Sequence, residues 1–370
     1  MKVEVIFQPL GLHVEVEAGG TILEAAREAG VGLSAICGGL GSCDACRVRL
    51  AEGDPVSLPT GGEREALGPE GLAKGMRLAC QTEIGGPLRV DVPPESMTAS
   101  QRTQVDGVEA GFPFDPPIAS IDHPLSNAPS ADTQGDLERL EAAAEAGGWT
   151  GLECRRLKIL QQIPELLRQN QWRIQVGIRG NELVTVGPPG TPVLGMAVDI
   201  GTTKVAGYLV DMASGDTLAM RGVMNPQFAF GEDVMARITH CLMHDDGRDV
   251  LQGAMVEAVN QLARDLCAEA VHGGKDAEGA FHPGQIVESV MVGNTAMHHL
   301  LLGLPVEQLG RAPYVAAAAS PLDVRGDELG LSFSPGATVH LLPNIAGFVG
   351  ADHLSMLLAT DTHRKDGVVI

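Results

Sequence analysis

The sequence has 370 residues, of which 47 are acidic and 26 basic, for a formal charge of -21 at neutral pH. That excess repels a phosphate backbone and leaves no general basic face for nucleic acid or anionic lipid. With 44% hydrophobic and 20% charged residues the composition is globular, wholesale disorder is excluded, and the length implies two or three domains. No apolar run approaches the roughly 20 residues of a membrane span. The amino terminus alternates apolar and polar residues, as a strand does, and has no signal-peptide core. The expectation is a cytoplasmic protein with no membrane association, whose reduced thiols, where clustered, mean metal and not disulfides.

Residues 1–9 and 11–18 are two alternating runs about Pro9 and Gly11, a hairpin pattern. "TILEAAREAG" follows as a helix, with Thr21 and Glu24 spaced as a capping box and Gly30 as its stop. After a glycine-rich stretch come a strand "CRVRL", a helix near 61–67, and the strands in "MRLACQT" and "PLRVDVP". Strand, strand, helix, strand, strand within about 95 residues is a β-grasp arrangement.

Between that first helix and the third strand the chain reads "CGGLGSCDAC", and a fourth cysteine stands at position 80. The spacing is C-x5-C-x2-C, then 33 residues, then C. An iron–sulfur cluster takes four thiolates, and its sulfides take hydrogen bonds from backbone that Gly38, Gly39 and Gly41 allow to wrap closely. Three ligands on one loop and a fourth at a strand end is the plant-type ferredoxin plan for [2Fe–2S]. The plant loop has one residue fewer, so this one is nearer the adrenodoxin-type variant. Zinc is the competing reading, but zinc ribbons usually pair two C-x2-C knuckles and one is present here. Cys37, Cys43, Cys46 and Cys80 are therefore the expected ligands of a one-electron centre, near about -400 mV in plant-type ferredoxins. The scattered Cys154, Cys241 and Cys267 read as small buried hydrophobes.

Residues 93–132 are rich in Pro, Ser, Asp and Gly, lack any period and read as a linker. A helix "DLERLEAAAEAGG", a second one split at Pro164, and the strands "WRIQVGI" and "LVTV" about "RGNE" then suggest a small α+β domain. From Gly195 two apolar strands flank "DIGTTK", and "DTLAMRG" begins a third. Neither a P-loop nor a Rossmann fingerprint is present, since both open a helix. In this turn Gly201 would let backbone approach a phosphate, Thr202 and Thr203 would add donors, and Asp199 could hold a hydrated Mg²⁺. An ordinary polar-tipped hairpin is the alternative.

"AVDIGTTKVAGYLVD" resembles the first phosphate motif of the acetate and sugar kinase, heat-shock chaperone and actin superfamily. "NPQFAFGEDVMARI" from Asn225, "VMVGNTAMHHLLLGLP" from Val290 and "LLPNIAGFVGAD" from Leu341 are similar to one family within it. With the cysteine loop in front, the whole chain resembles the reductive activators of corrinoid proteins.

That resemblance implies an α+β multidomain protein. Residues 1–95 would form a [2Fe–2S] ferredoxin-like β-grasp domain, 96–132 a linker, 133–190 a small α+β domain, and 191–370 the first half of an actin-like, ribonuclease H-like ATPase fold. It further implies ATP-dependent passage of an electron from the cluster to Co(II) of a corrinoid protein, giving Co(I), with ATP and Mg²⁺ as further cofactors and an upstream low-potential donor. Asp199, Gly201, Thr202, Thr203 and Lys204 would form the phosphate site; a homodimer is left open. The alternatives are a ferredoxin-type carrier with a degenerate ATPase domain, a metabolite kinase fused to a metal-binding module, and a non-catalytic interaction protein.

In the later motifs Glu232 and Asp233 are expected in the first turn of a helix, and Asn294 as the N-cap of the next. One of His298 and His299 is expected in the core and the other exposed, and "THCLMHDDGRD" as a solvated helix end. The family requires a second D-x-G-T turn, whereas the sequence stops at "DGVVI". The expectation is the N-terminal part of a longer protein, with Val368, Val369 and Ile370 in a strand short of its neighbours.

Overall fold

The computed structural model describes residues 2–9, 11–51, 53–93, 96–97, 114–125, 133–272 and 281–360. "DGVVI" lies outside the described residues. The chain divides into two compact units, one of residues 1–102, 224–254 and 303–315, the other of residues 103–223, 255–302 and 316–370.

The first unit begins with strands β1 (Lys2–Gln8) and β2 (Leu12–Glu17), then helix α1 (Ile22–Glu28), β3 (Arg47–Arg49), helix α2 (Gly61–Ala73), β4 (Met76–Leu78) and β5 (Leu88–Asp91). The five strands are ordered β2-β1-β5-β3-β4, with β5 parallel to β1. Alternation decides the buried face: Val3, Val5 and Phe7 of β1 turn inward and share one core with Leu23, Ala26, Val48, Leu78 and Val90. Each such side chain contributes about 1.5–3 kcal/mol by leaving water. Thr21 and Glu24 close the expected capping box on α1. Helix α2 runs longer than expected and carries a second box, Thr60 with Glu63; it kinks at Gly68, whose φ is 65°, ahead of Pro69.

In the second unit, residues 118–124, read from sequence as linker, are a strand, β6 (Ile118–Pro124). Proline on either side hid it, and an edge strand tolerates proline. Helices α3 (Asp136–Ala146), α4 (Leu157–Leu160) and α5 (Ile163–Gln169) follow, with Pro164 in the first turn of α5 as expected. Strand β7 (Arg173–Arg179) pairs with both β6 and β8 (Glu182–Gly187).

The chain continues with β9 (Leu194–Ile200), β10 (Lys204–Asp211), β11 (Thr217–Met224), helices α6 (Val234–Met243) and α7 (Gly247–His272), β12 (Ile286–Gly293), α8 (Thr295–Leu301), β13 (Leu322–Arg325), β14 (Thr338–Leu341) and α9 (Ala351–Ala359). Six strands form a sheet ordered β11-β10-β9-β12-β14-β13. With β10 antiparallel to β9, and β12 and β14 parallel to β9 and to each other, the sheet has the ribonuclease H-like order. Gly207 on β10 brings α7 close, since an added Cβ would stand 2.7 Å from Leu262. The two sheets of this unit are tied by Arg325 forked onto Glu182, and by Arg179 bonded to Glu288 and Asp323 at 3.0 Å each.

Candidate functional site

The loop between α1 and β3 holds Gly38, Gly39 and Gly41 at φ of 66°, 93° and 72°, the left-handed region that side chains avoid. The Gln81 amide closes over it, donating to Gly39 O at 3.0 Å. The structure brings the four expected thiols together: Cys37 is within interaction range of Cys80 and Cys43, and Cys46 of Cys80. Pairing with Cys80 pulls the Cys37 thiol well below the ordinary range, and the same contacts push Cys80 well above it. Cys46 and Cys80 are buried, while Cys37 and Cys43 are half-exposed. Among the described residues no three His, Cys, Asp or Glu side chains are arranged to hold a single metal ion. A dinuclear cluster asks for two thiolates per iron, and the Cys37–Cys43 and Cys46–Cys80 pairs fit that demand.

Buried chemistry fixes the position of Cys80. Glu63, fully buried, accepts from Arg77 Nε at 2.8 Å, Leu78 N–H at 3.1 Å and the Thr82 hydroxyl at 3.1 Å, residues on both sides of Cys80. Burial pushes its carboxyl up, but Arg77 and the backbone donors outweigh it and hold the pKa below the ordinary value. From β3, Cys46 O accepts from Ala79 N–H at 2.9 Å.

The stretch from Asn225 belongs to the same unit and lies against the loop. An added Cβ on Gly38 would stand 3.2 Å from Ala236 O and 3.3 Å from Phe230 O. Asn225 caps the turn Pro226–Phe230, and the fully buried Arg237 donates to Gly231 O at 2.9 Å and Gln227 Oε1 at 3.3 Å. Much of the "NPQFAFGEDVMARI" motif is thus a buried polar network. Asp233 is the N-cap of α6 and not part of its first turn; Glu232 precedes the cap and lies by the Ala35 backbone.

Residues 242–246 are exposed where α6 ends, as expected of a solvated helix end, but His240 is buried, its ring 5.2 Å from that of Phe230 and 4.4 Å from that of His244. Burial pulls it down to about 4. With Arg27, Gly39, Cys80 and Met243 it lines a cavity of about 660 Å³. Cys267 is buried as expected, but Cys154 and Cys241 are half-exposed.

In the second unit, β9 and β10 are joined by the turn at 201–203. It is tight at Gly201, where an added Cβ would stand 2.7 Å from Lys204 O. Two other segments meet it. Asn294, at the end of β12, donates from Nδ2 to the Thr202 hydroxyl at 3.0 Å and caps α8 by accepting from Met297 N–H at 3.0 Å, as expected. Gly350 packs on Gly293 and Asn294 so closely that a Cβ there would collide with both backbones. Asp352, two residues on, stands in the first turn of α9. The Asp199 carboxyl is pushed up by burial and then by the charge of Asp352. Sequence reasoning missed Asp352; the Gly-Ala-Asp ending of the "LLPNIAGFVGAD" motif was the available signal.

His298 and His299 are both buried, correcting the expected split. His299 contacts Thr295 O at 2.7 Å through Nδ1 and accepts from Ala317 N–H at 2.9 Å through Nε2, whereas neither ring nitrogen of His298 has a partner among the described residues.

A thiol-lined loop in a β-grasp domain, followed by a glycine–threonine hairpin in a ribonuclease H-like sheet, defines an iron–sulfur protein fused to an ATPase-type fold. Residues 5–85 match the family described as 2Fe-2S iron-sulfur cluster binding domain, 107–191 the RACo linker region and 194–365 the RACo middle region. Corrinoid activation enzyme RamQ of Eubacterium limosum is 26% identical over 370 residues, which are 99% of this chain and 57% of that protein. A solved structure of a reductive activator for corrinoid, iron-sulfur protein is 29% identical with a TM-score of 0.58, and the match covers 99% of this chain and 59% of that one. One component of the Na(+)-translocating NADH-quinone reductase of Histophilus somni is 34% identical over 85 residues, 23% of this chain and 20% of that protein.

The three matched regions follow one another along the chain, and over nearly its whole length the chain is similar to these activators of corrinoid proteins. It spans less than two thirds of the length of these relatives. No described helix is long and apolar enough to cross a membrane.

Proposed function

We propose that this chain is the electron-carrying and nucleotide-responsive part of an ATP-dependent activator that returns a corrinoid protein from Co(II) to Co(I). The observation that carries the reading is the convergence of four thiols in a β-grasp domain on the same chain as a three-segment cradle around Gly201. Cys37 and Cys43 hold one iron, Cys46 and Cys80 the other. When bound, the cluster supplies the single electron that the cobalt gains.

In the cradle, the Gly201 backbone and the Thr202 and Thr203 hydroxyls would supply donors to phosphate, and Lys204 positive charge. Asp199, with Asp352, would hold a hydrated Mg²⁺. The reduction is uphill for an ordinary ferredoxin, so nucleotide acts by favouring the state in which transfer is possible. On this reading residues 1–95 carry the electron, the sheet of β6, β7 and β8 with helices α3, α4 and α5 is the small α+β domain, and the six-stranded sheet of the second unit binds nucleotide. The protein works in the cytoplasm, fed by a low-potential donor.

The test is a visible and EPR spectrum of anaerobically purified protein, repeated with a Co(II) corrinoid protein and MgATP. A [2Fe–2S] signal that is lost as Co(I) absorbance grows, dependent on ATP and on Asp199, is the expected result. Stoichiometric zinc without iron, or full-rate reduction in Asp199→Ala, would sink the reading.

A further inference from the structure

We infer that Arg27 is a positioning residue for the electron carrier: it fastens residues 229–236 over the Cys80 side of the cysteine loop and keeps a desolvated positive charge there. The inference rests on the reading that the four thiols hold a cluster.

Helix α1 is fixed to the Cys80 segment by Leu23 N–H to Ala79 O at 2.9 Å and Ile22 N–H to Thr82 O at 3.0 Å. Arg27, in its last turn, lines the same cavity as Gly38, Gly39, Cys80 and Gln81. Its Nε donates to Ala229 O at 3.0 Å, Nη2 donates to the same oxygen, and its guanidinium carbon lies 4.1 Å from the Phe230 ring centroid. A cation over an aromatic face binds more strongly as water is removed. The fastening is reinforced where Gly38 meets Phe230 O and Ala236 O and where the Glu232 carboxyl lies by the Ala35 backbone. The contacts therefore span residues 27, 35 and 38 on one side and 229–236 on the other, about 200 positions apart in sequence.

The charge matters because reducing a cluster adds one negative charge to its surroundings. Net charge and solvent exposure are levers on cluster potential, and a cation held out of water acts more strongly than one in it. Among the carboxylates on this cavity, Glu24 is engaged at the α1 cap, and Glu28 and Asp246 also line it; His240 and His244 complete its titratable groups. Burial draws the Arg27 guanidinium down to about 10, with Glu24 and Cys80 opposing that shift, so Arg27 and the fourth thiol are within electrostatic reach. Arg27 thus favours the reduced cluster for as long as the Phe230 segment keeps water from it.

The experiment is an EPR-monitored redox titration of the iron-loaded protein, with hydrogen exchange of the 228–237 amides measured on loaded and apo protein. At the poise that half-reduces the unmodified protein, Arg27→Gln should lower the ratio of reduced to oxidised cluster several-fold and raise exchange. Arg27→Lys retains the charge but not the fork, so its potential should stay near that of the unmodified protein while exchange rises. Phe230→Leu should raise exchange and lower the ratio by less than Arg27→Gln.

An unchanged potential in Arg27→Gln overturns the electrostatic role, and unchanged exchange overturns the fastening. If Arg27→Gln fails to load iron, a Phe230→Leu potential equal to that of the unmodified protein overturns the electrostatic role instead. Absence of any iron signal in the unmodified protein defeats the cluster reading, while exchange on the apoprotein still decides the fastening.

Discussion

The cysteine loop gathers three thiols within ten residues and takes its fourth from the same β-grasp sheet, whereas the cradle around Gly201 draws on residues 199–204, 293–295 and 346–352. The first site stands on a locally closed fold; the second exists only where three strand or helix ends meet. A site of the first kind should fail completely when one ligand is lost. A site of the second kind should lose function by degrees, because each segment supplies only part of the enclosure.

The largest effect should come from the thiols. Changing any one of Cys37, Cys43, Cys46 or Cys80 to Ser is expected to remove most of the about two irons per chain that a [2Fe–2S] site holds, while Cys154→Ser leaves iron content unchanged. Iron analysis after anaerobic reconstitution checks this, and an iron-replete Cys80→Ser protein would show that the site is not all-or-none.

Next comes Glu63→Ala, which strands Arg77 in the core and should cost about 3–5 kcal/mol of stability. Thermal melting would read it, and a loss under about 1 kcal/mol would mean that the network is better solvated than its burial indicates. Milder again, Gly350→Ala should weaken MgATP binding by about tenfold, near 1.4 kcal/mol, through the collision with Gly293 and Asn294, with iron content untouched. Calorimetry on the iron-loaded chain decides it; equal affinity would remove the 346–352 segment from the cradle.

The last effect is a pH dependence. His298 has a folded pKa of about 4, lowered first by burial and then by His299, against about 6.5 when unfolded. The unfolded chain therefore binds more protons below pH 6.5, so stability falls on acidification from 6.5 and levels off below 4. His298→Leu should flatten that slope; parallel melting profiles for the two proteins between pH 7 and 5 would contradict it.

The same contrast explains what could be read from the amino acids. The cysteine spacing, the Thr21–Glu24 box and the Asn294 cap depend on neighbours a few residues away, so their patterns are visible in one dimension. Cys80 enters the reading by its spacing, with 33 residues between it and the C-x2-C pair. Asp352, the burial of His240 between two aromatic rings, the double burial of His298 and His299, and the strand at 118–124 all depend on partners contributed by distant chain. The polarity of an imidazole says nothing about which ring will cover it, and a proline-flanked strand shows its period only beside β7.

Glu63 bears on how a cluster would be built. Its bonds hold Arg77, Leu78 and Thr82 with protein atoms alone, so the backbone on either side of Cys80 is fixed without help from iron. If the four thiols hold a cluster, Cys80 would stand in place before iron arrives, and folding of this segment would not have to wait for the metal.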